Sequence, residues 1–275
     1  MTIIAMTRES GTRGSEIAAA LADQLHLEVI HDERVEHDIA NRIGIPESDV
    51  HHYLQEDISL FERLTFKHRA FSKYTALEIL ELAAKGNVLI RGWGATGLLN
   101  KVPHVLCVRV CAPMSYREAV LLDRGRVESP ADARREIEHS DAIRHVALQK
   151  QHKSDWQDPL HYALVLNTGR VPVADCVEQI IRLAQSEAFT ETPYSRDLLM
   201  DQLILARVQF ALDQRFGPKS LQNGIEPRVI GGNVLLIGGT TDEQMIVDAV
   251  RLVQKVEGVR GVESKVAHVA FYPHG

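Results

Sequence analysis

The residues best suited to chemistry sit within Thr7–Ile17, TRESGTRGSEI. A β-rich run, Thr2–Thr7, precedes them, and an apolar-periodic stretch, Ser15–His26, follows. A turn between a strand and a helix can aim backbone N–H groups at an anion, and the helix N-terminus adds a favourable field. Gly11 and Gly14 supply backbone freedom, Thr12 and Ser15 supply hydroxyls, and Arg8 and Arg13 supply charge. That set suits phosphate binding. The lysine-bearing pattern GxxxxGK[ST] is not met, because Ser15 follows Gly14. On its own, GTRG reads equally as a tight strand-to-helix turn.

The elements that must position this turn follow from hydrophobic periodicity. In Ser15–His26, Ile17, Leu21 and Leu25 recur four apart, which predicts a helix. Short apolar runs at Glu28–His31, Asn87–Arg91, His104–Cys111 and Tyr162–Leu166 predict strands. Between them the pattern is helical over residues 34–85 (with a break at Gly44-Ile45-Pro46), 114–125 and 130–151, and again over Val171–Glu187. Continuous apolar strands alternating with helices predict a parallel sheet covered on both faces. Ala188–Arg196 is polar, carries Pro193 and reads as a linker. Beyond it the order changes. A helix over Asp197–Arg215 and a hairpin through Gly231-Gly232 precede a helix over Asp242–Val256, capped by Thr241 or Asp242. A strand over Gly261–Phe271 closes the chain. This α-β-β-α-β order predicts a separate small α+β sandwich.

Composition sets limits. The 275 residues are 45% hydrophobic and 25% charged, with a formal charge of −6. That is ordinary globular composition and excludes disordered or collagen-like chains. Net acidity argues against a general nucleic-acid binder. No apolar run approaches the roughly 18 residues that span a bilayer, so no membrane insertion is expected. The N-terminus lacks the layout of a secretory signal, and a cytoplasmic location is expected. Cys107, Cys111 and Cys176 form no CxxC pair. Cys107 and Cys111 share one face of a strand and read as packing. His51-His52 lacks companion ligands at metal spacing.

RESGTRGSEIAAALADQL resembles the opening of the cytidylate kinase-like family. Three later stretches match that family in order: His31-Asp32, NVLIRGWG at Asn87–Gly94, and DWQDPLHYALVLNT at Asp155–Thr168, the most specific. The resemblance covers residues 1–187. It implies a P-loop NTPase-like α/β fold and transfer of the ATP γ-phosphoryl to a nucleotide, assisted by Mg²⁺. It places the donor phosphates on Gly11, Thr12, Arg13, Gly14 and Ser15, with Thr12 or Ser15 reaching Mg²⁺ through a hydroxyl. It places the acceptor near Asp32 and Arg91, and makes Asp141–Arg144 the lid, with Arg13, Arg91 and Arg144 the arginines able to act on the transferring group. The residues alone also allow a helix cap at Asp32, a solvated Arg91 and a surface ion pair at Arg144. The chain departs from the family at Arg13, where a glycine is usual, at His145, Ala147 and Leu148 in the lid, and at Ala163. An altered lid leaves open a nucleotide-binding pseudokinase, or an interaction protein on a kinase scaffold.

Residues 197–269 resemble the BON domain through DLLMDQLILARVQFAL, GGNVLLIGG and VEGVRGVESKV. The resemblance implies a regulatory module over 197–275 that takes a small ligand or a protein partner. Val234, Leu236, Val259 and Val262 are then core residues. With 8 Lys plus Arg against 9 Asp plus Glu, that segment lacks a polybasic lipid-binding face.

Overall fold

A computed structural model describes residues 1–30, 37–41, 65–92, 94–152, 156–217 and 224–269. Two compact units emerge: residues 1–68 with 85–195, and residues 69–84 with 196–275.

The first unit is built on five parallel strands: β1 (Ile3–Arg8), β2 (Glu28–Ile30), β3 (Val88–Arg91), β4 (Val105–Cys111) and β5 (Leu164–Asn167), in the order β2-β3-β1-β4-β5. The sequence reading of this sheet holds to within a residue or two at each strand. β1 lies in the middle and is buried from Ile3 to Thr7, as a strand covered on both faces must be. Ile4 and Met6 pack with Ile17 and Leu21 of α1 (Gly14–Leu25), and with Cys176, Val177 and Ile180 of the helix Val173–Ala184. Thr7 points the other way, where its hydroxyl pairs with that of Thr96 at 2.8 Å. The Cys107 thiol donates to the Thr96 carbonyl on the same face. Helices therefore cover both faces.

Numbered in chain order, the helices are α1, α2 (Thr65–Lys85), α3 (Ala95–Leu99), α4 (Met114–Asp123), α5 (Pro130–His152), α6 (Val173–Ala184), α7 (Pro193–Phe216) and α8 (Glu243–Val253). The chain leaves β1 toward β2 on one side and leaves β4 toward β5 on the other. In open parallel sheets such a switch in direction opens a crevice at the carboxyl ends of the strands, where ligands bind.

The second unit holds a three-stranded sheet, β6 (Glu226–Ile230), β7 (Asn233–Thr240) and β8 (Gly261–His268). β6 and β7 form an antiparallel hairpin, and β7 pairs with β8 in parallel after the α8 crossover. Gly231 and Gly232 both have positive φ, 56° and 76°, as a two-residue primed turn requires. The Asp201 carboxylate of α7 accepts from both of their N–H groups, at 2.7 and 2.8 Å. Val208, Val234, Leu236 and Ala249 form the core, with Val259 and Val262 packed against it. The Asp242 side chain caps α8 by accepting from the Met245 N–H.

Two features differ from the sequence expectation. First, α7 begins at Pro193, within the stretch read as a linker. Thr192 and Ser195 explain it: the Ser195 Oγ accepts from the Thr192 N–H at 2.9 Å, and the Thr192 Oγ1 accepts from the Ser195 N–H at 3.1 Å. This reciprocal cap places Pro193 at the first helical position, where its missing N–H costs nothing. Second, residues 69–84 of α2 belong with the second unit. There Tyr74 meets Phe210 of α7 edge-on at 5.1 Å, Lys73 pairs with Asp213, and Glu81 pairs with Arg207.

Candidate phosphate-binding site

The turn Glu9–Arg13 leaves the carboxyl end of β1 and enters α1. Its floor is anchored by charge. The Glu9 carboxylate is buried against Arg109 at 2.6 Å and Arg117 at 3.5 Å, and it accepts from the Ala112 N–H at 3.2 Å. Arg117 also grips Asp141 of α5 through two hydrogen bonds of 2.8 Å and donates from Nε to the Ser10 carbonyl at 2.6 Å. Two carboxylates and two guanidiniums thus neutralise one another beneath the turn.

The upper surface of the turn is different. Thr12 closes a tight turn back onto Glu9, while the N–H groups of Ser10, Gly11, Arg13, Gly14 and Ser15 make no turn or cap bond among the described residues, and such bonds resume where Glu16 and Ile17 meet the Arg13 carbonyl. Open amides at a helix N-terminus are the kind of donor an anion uses.

Each residue singled out in the sequence has a definite place. Gly11 has φ +79°, and a Cβ there would meet the Arg117 carbonyl at 2.6 Å, so its freedom serves the close approach of α4. A Cβ on Gly14 would meet the Arg8 side chain at 2.9 Å, so this glycine lets the Arg8 stem lie across the helix start. Thr12 is buried, and its hydroxyl donates to the Glu9 carbonyl at 2.7 Å. The hydroxyl thus braces the turn, and Ser15 is half-buried on the first turn of α1. Arg13 takes the left-handed conformation, φ 54° and ψ 19°, at the N-cap of α1. This is the physical reason a glycine suits the position. Its guanidinium is 39% exposed and only loosely paired, with Glu16 at 3.8 Å and Asp123 at 4.0 Å.

Arg91 ends β3, in register with Met6 of β1, which brings it to the same carboxyl edge as the turn. Arg144 lies within α5, three residues past the anchored Asp141. Asp32 and the pair His51-His52 lie outside the described residues, as do the side chains of Ala147 and Leu148. Among the described residues there is no group of three or more His, Cys, Asp or Glu able to hold a metal ion. No helix among the described residues is long and apolar enough to cross a membrane.

The late signature proves to be scaffolding. Trp156 is buried with the Arg109 guanidinium 5.0 Å over its ring, and Arg109 also donates to the Gln157 carbonyl at 2.8 Å. The Tyr162 hydroxyl donates to the Trp156 carbonyl at 2.6 Å, and Asp158 caps the turn at Leu160. Burial pushes the Tyr162 hydroxyl above its ordinary pKa, against the lowering effect of hydrogen bonds to Thr7 and Thr96. Thr168 closes the signature by donating to the Thr12 carbonyl at 2.9 Å, linking β5 directly to the turn. Burial alone pushes the Cys107 thiol up to about 12, in keeping with a packing role. Glu9, Arg109 and Arg117 did not stand out in the sequence as anchors, since their partners lie about a hundred residues away. An arginine on an otherwise apolar strand, Arg109, was the available signal.

This parallel α/β unit, with a glycine-containing turn between its central first strand and α1, is consistent with a P-loop kinase-like fold. The sequence profile of the cytidylate kinase-like family matches residues 3–170, and the chain belongs to that family. No curated protein matches it. Among solved structures, an uncharacterized protein from Eubacterium ventriosum ATCC 27560 aligns with a TM-score of 0.54 at 19% identity, over 68% of this chain and 100% of that one. Shikimate kinases from Acinetobacter baumannii and Bacteroides thetaiotaomicron align at 15% identity with TM-scores of 0.37 and 0.41. They cover 69% and 67% of this chain, and 96% and 99% of their own. The first supports the shared fold; the two kinases align too loosely to bear on the substrate.

Proposed function

We propose that this protein is an ATP-dependent phosphotransferase acting on a nucleoside monophosphate of the cytidylate type. The observation that carries the reading is the set of open amides at Ser10, Gly11 and Arg13–Ser15, at the carboxyl edge of β1. The donor phosphates rest on these amides, with Mg²⁺ on the phosphates and near Ser15. An acceptor phosphate oxygen attacks the γ-phosphorus, the bond to the bridging oxygen breaks, and ADP leaves. Such a transfer needs charge neutralisation and alignment more than covalent chemistry. Arg91 supplies charge on the acceptor side, with Asp32 contributing to acceptor binding, and Arg144 supplies charge from the lid.

A second reading, a nucleotide-binding pseudokinase, is favoured by Arg13. It replaces the usual glycine in a chain with no loop lysine, and it pairs outward with Glu16 and Asp123. Residues 197–275 act in either reading as a BON-like module for a small ligand or a protein partner, which the α-β-β-α-β order supports. An ADP-release assay of the full chain with Mg·ATP and a panel of nucleoside monophosphates tests the choice. Release stimulated by one monophosphate supports the kinase. ATP binding without release under any acceptor supports the pseudokinase.

A further inference from the structure

Arg117 lies early in α4, and only 4% of it is exposed. A guanidinium presents five N–H donors in a fixed planar fork, and burial makes each unmet donor costly. Arg117 distributes its donors between the phosphate turn and α5. Nε holds the Ser10 carbonyl, while the two terminal nitrogens hold both oxygens of Asp141 on α5. One of those nitrogens also lies 3.5 Å from Glu9. The backbone of the same residue presses against Gly11. Asp141 is one helical turn before Arg144.

We infer that Arg117 is a positioning residue that ties the Asp141–Arg144 segment of α5 to the phosphate turn, so that the turn and the lid are set together. The inference rests on the nucleotide reading above for its role in phosphoryl transfer, whereas the tie itself is a property of the free protein. The bidentate fork gives it direction: lysine could keep the charge but not three bonds to two elements. Glu9 completes the arrangement by holding Arg117 and Arg109 at the base of the turn.

Hydrogen–deuterium exchange on the full-length protein tests this, with Asp141→Asn and Arg117→Lys compared with wild type after near-ultraviolet circular dichroism has shown each to be folded. Asp141 is on the outer side of the pair, so its amide variant removes the ion pair with little change in volume. Without nucleotide, Asp141→Asn should speed exchange at Glu16 and Ile17, whose amides bond the Arg13 carbonyl where the turn enters α1, at least tenfold. With Mg·ATP as the probe, wild type should gain protection both at 10–15 and at 138–146. Asp141→Asn should keep the first and lose the second, with ATP affinity within about threefold of wild type. Arg117→Lys should weaken both. Unchanged exchange at Glu16 and Ile17 in free Asp141→Asn would overturn the tie. Retained ATP protection of 138–146 in Asp141→Asn would overturn it as well. If Mg·ATP gives wild type no protection at 10–15, the nucleotide reading fails, and the nucleotide-free comparison still decides the tie.

Discussion

Replacing Gly11 with alanine probes the closest approach in the site. Two costs are separable. The φ of +79° places an L-residue in the left-handed region, at about 1–2 kcal/mol. The added Cβ then falls 2.6 Å from the Arg117 carbonyl and 2.9 Å from its Cα, both backbone atoms that cannot swing away. Forcing such a contact into a packed site costs about 1–3 kcal/mol more. The total is about 2–5 kcal/mol. Gly125→Ala is the matched control: its φ is +62°, and nothing lies within 4 Å of the added carbon, so it should cost about 1 kcal/mol. Urea unfolding followed by tryptophan fluorescence reads the right unit, because both tryptophans, Trp93 and Trp156, belong to the first one. Equal losses for Gly11→Ala and Gly125→Ala would refute the argument that α4 is pressed against the turn.

Arg13→Gly relieves a left-handed non-glycine residue and should stabilise the first unit by about 1 kcal/mol in the same urea assay, whatever it does to phosphoryl transfer. The Cys107 thiol is raised in the folded state from 9.0 to about 12, so its contribution to stability is complete below pH 9 and is lost as pH rises toward 12. By pH 10 wild type should lose about 1.4 kcal/mol more, relative to pH 8, than Cys107→Ala does. Equal alkaline slopes would contradict the buried neutral thiol. A chain ending near Glu187 removes Phe210, Asp213 and Arg207 from Tyr74, Lys73 and Glu81 of α2, and its thermal transition should be broadened or absent. A sharp, undiminished transition would show that α2 needs no partner from the second unit.

The strands and most helices were legible because burial on one or both faces leaves a period of hydrophobicity that survives in the residues themselves. The phosphate turn was legible because Gly11 and Gly14 fall between β1 and α1. What each glycine does was not, since the Arg117 backbone and the Arg8 stem reach them only through the fold. That the Thr12 hydroxyl braces the turn was not legible, because the Glu9 carbonyl reaches it only once the turn has folded. The start of α7 was hidden by Pro193, which breaks a helix in its interior and starts one at its first position. The Thr192 and Ser195 pairing that decides between these is a local three-residue pattern, and it was present in the sequence. The membership of residues 69–84 in the second unit was not legible, because the partners of Tyr74 and Lys73 lie about 140 residues later.

The claim that nucleotide phosphates dock on the open amides within Ser10–Ser15 is tested most directly by titration calorimetry of Mg·ATP into the full chain and into Gly14→Val. A valine there would drive its side chain into the Arg8 stem, which fills the space at 2.9 Å, and crowd the turn. The account predicts that wild type binds with a Kd in the range of about 1 μM to 1 mM usual for enzyme substrates. Gly14→Val, folded by circular dichroism, should bind at least about tenfold more weakly, a difference of about 1.4 kcal/mol. Equal affinity in the two folded proteins would contradict it.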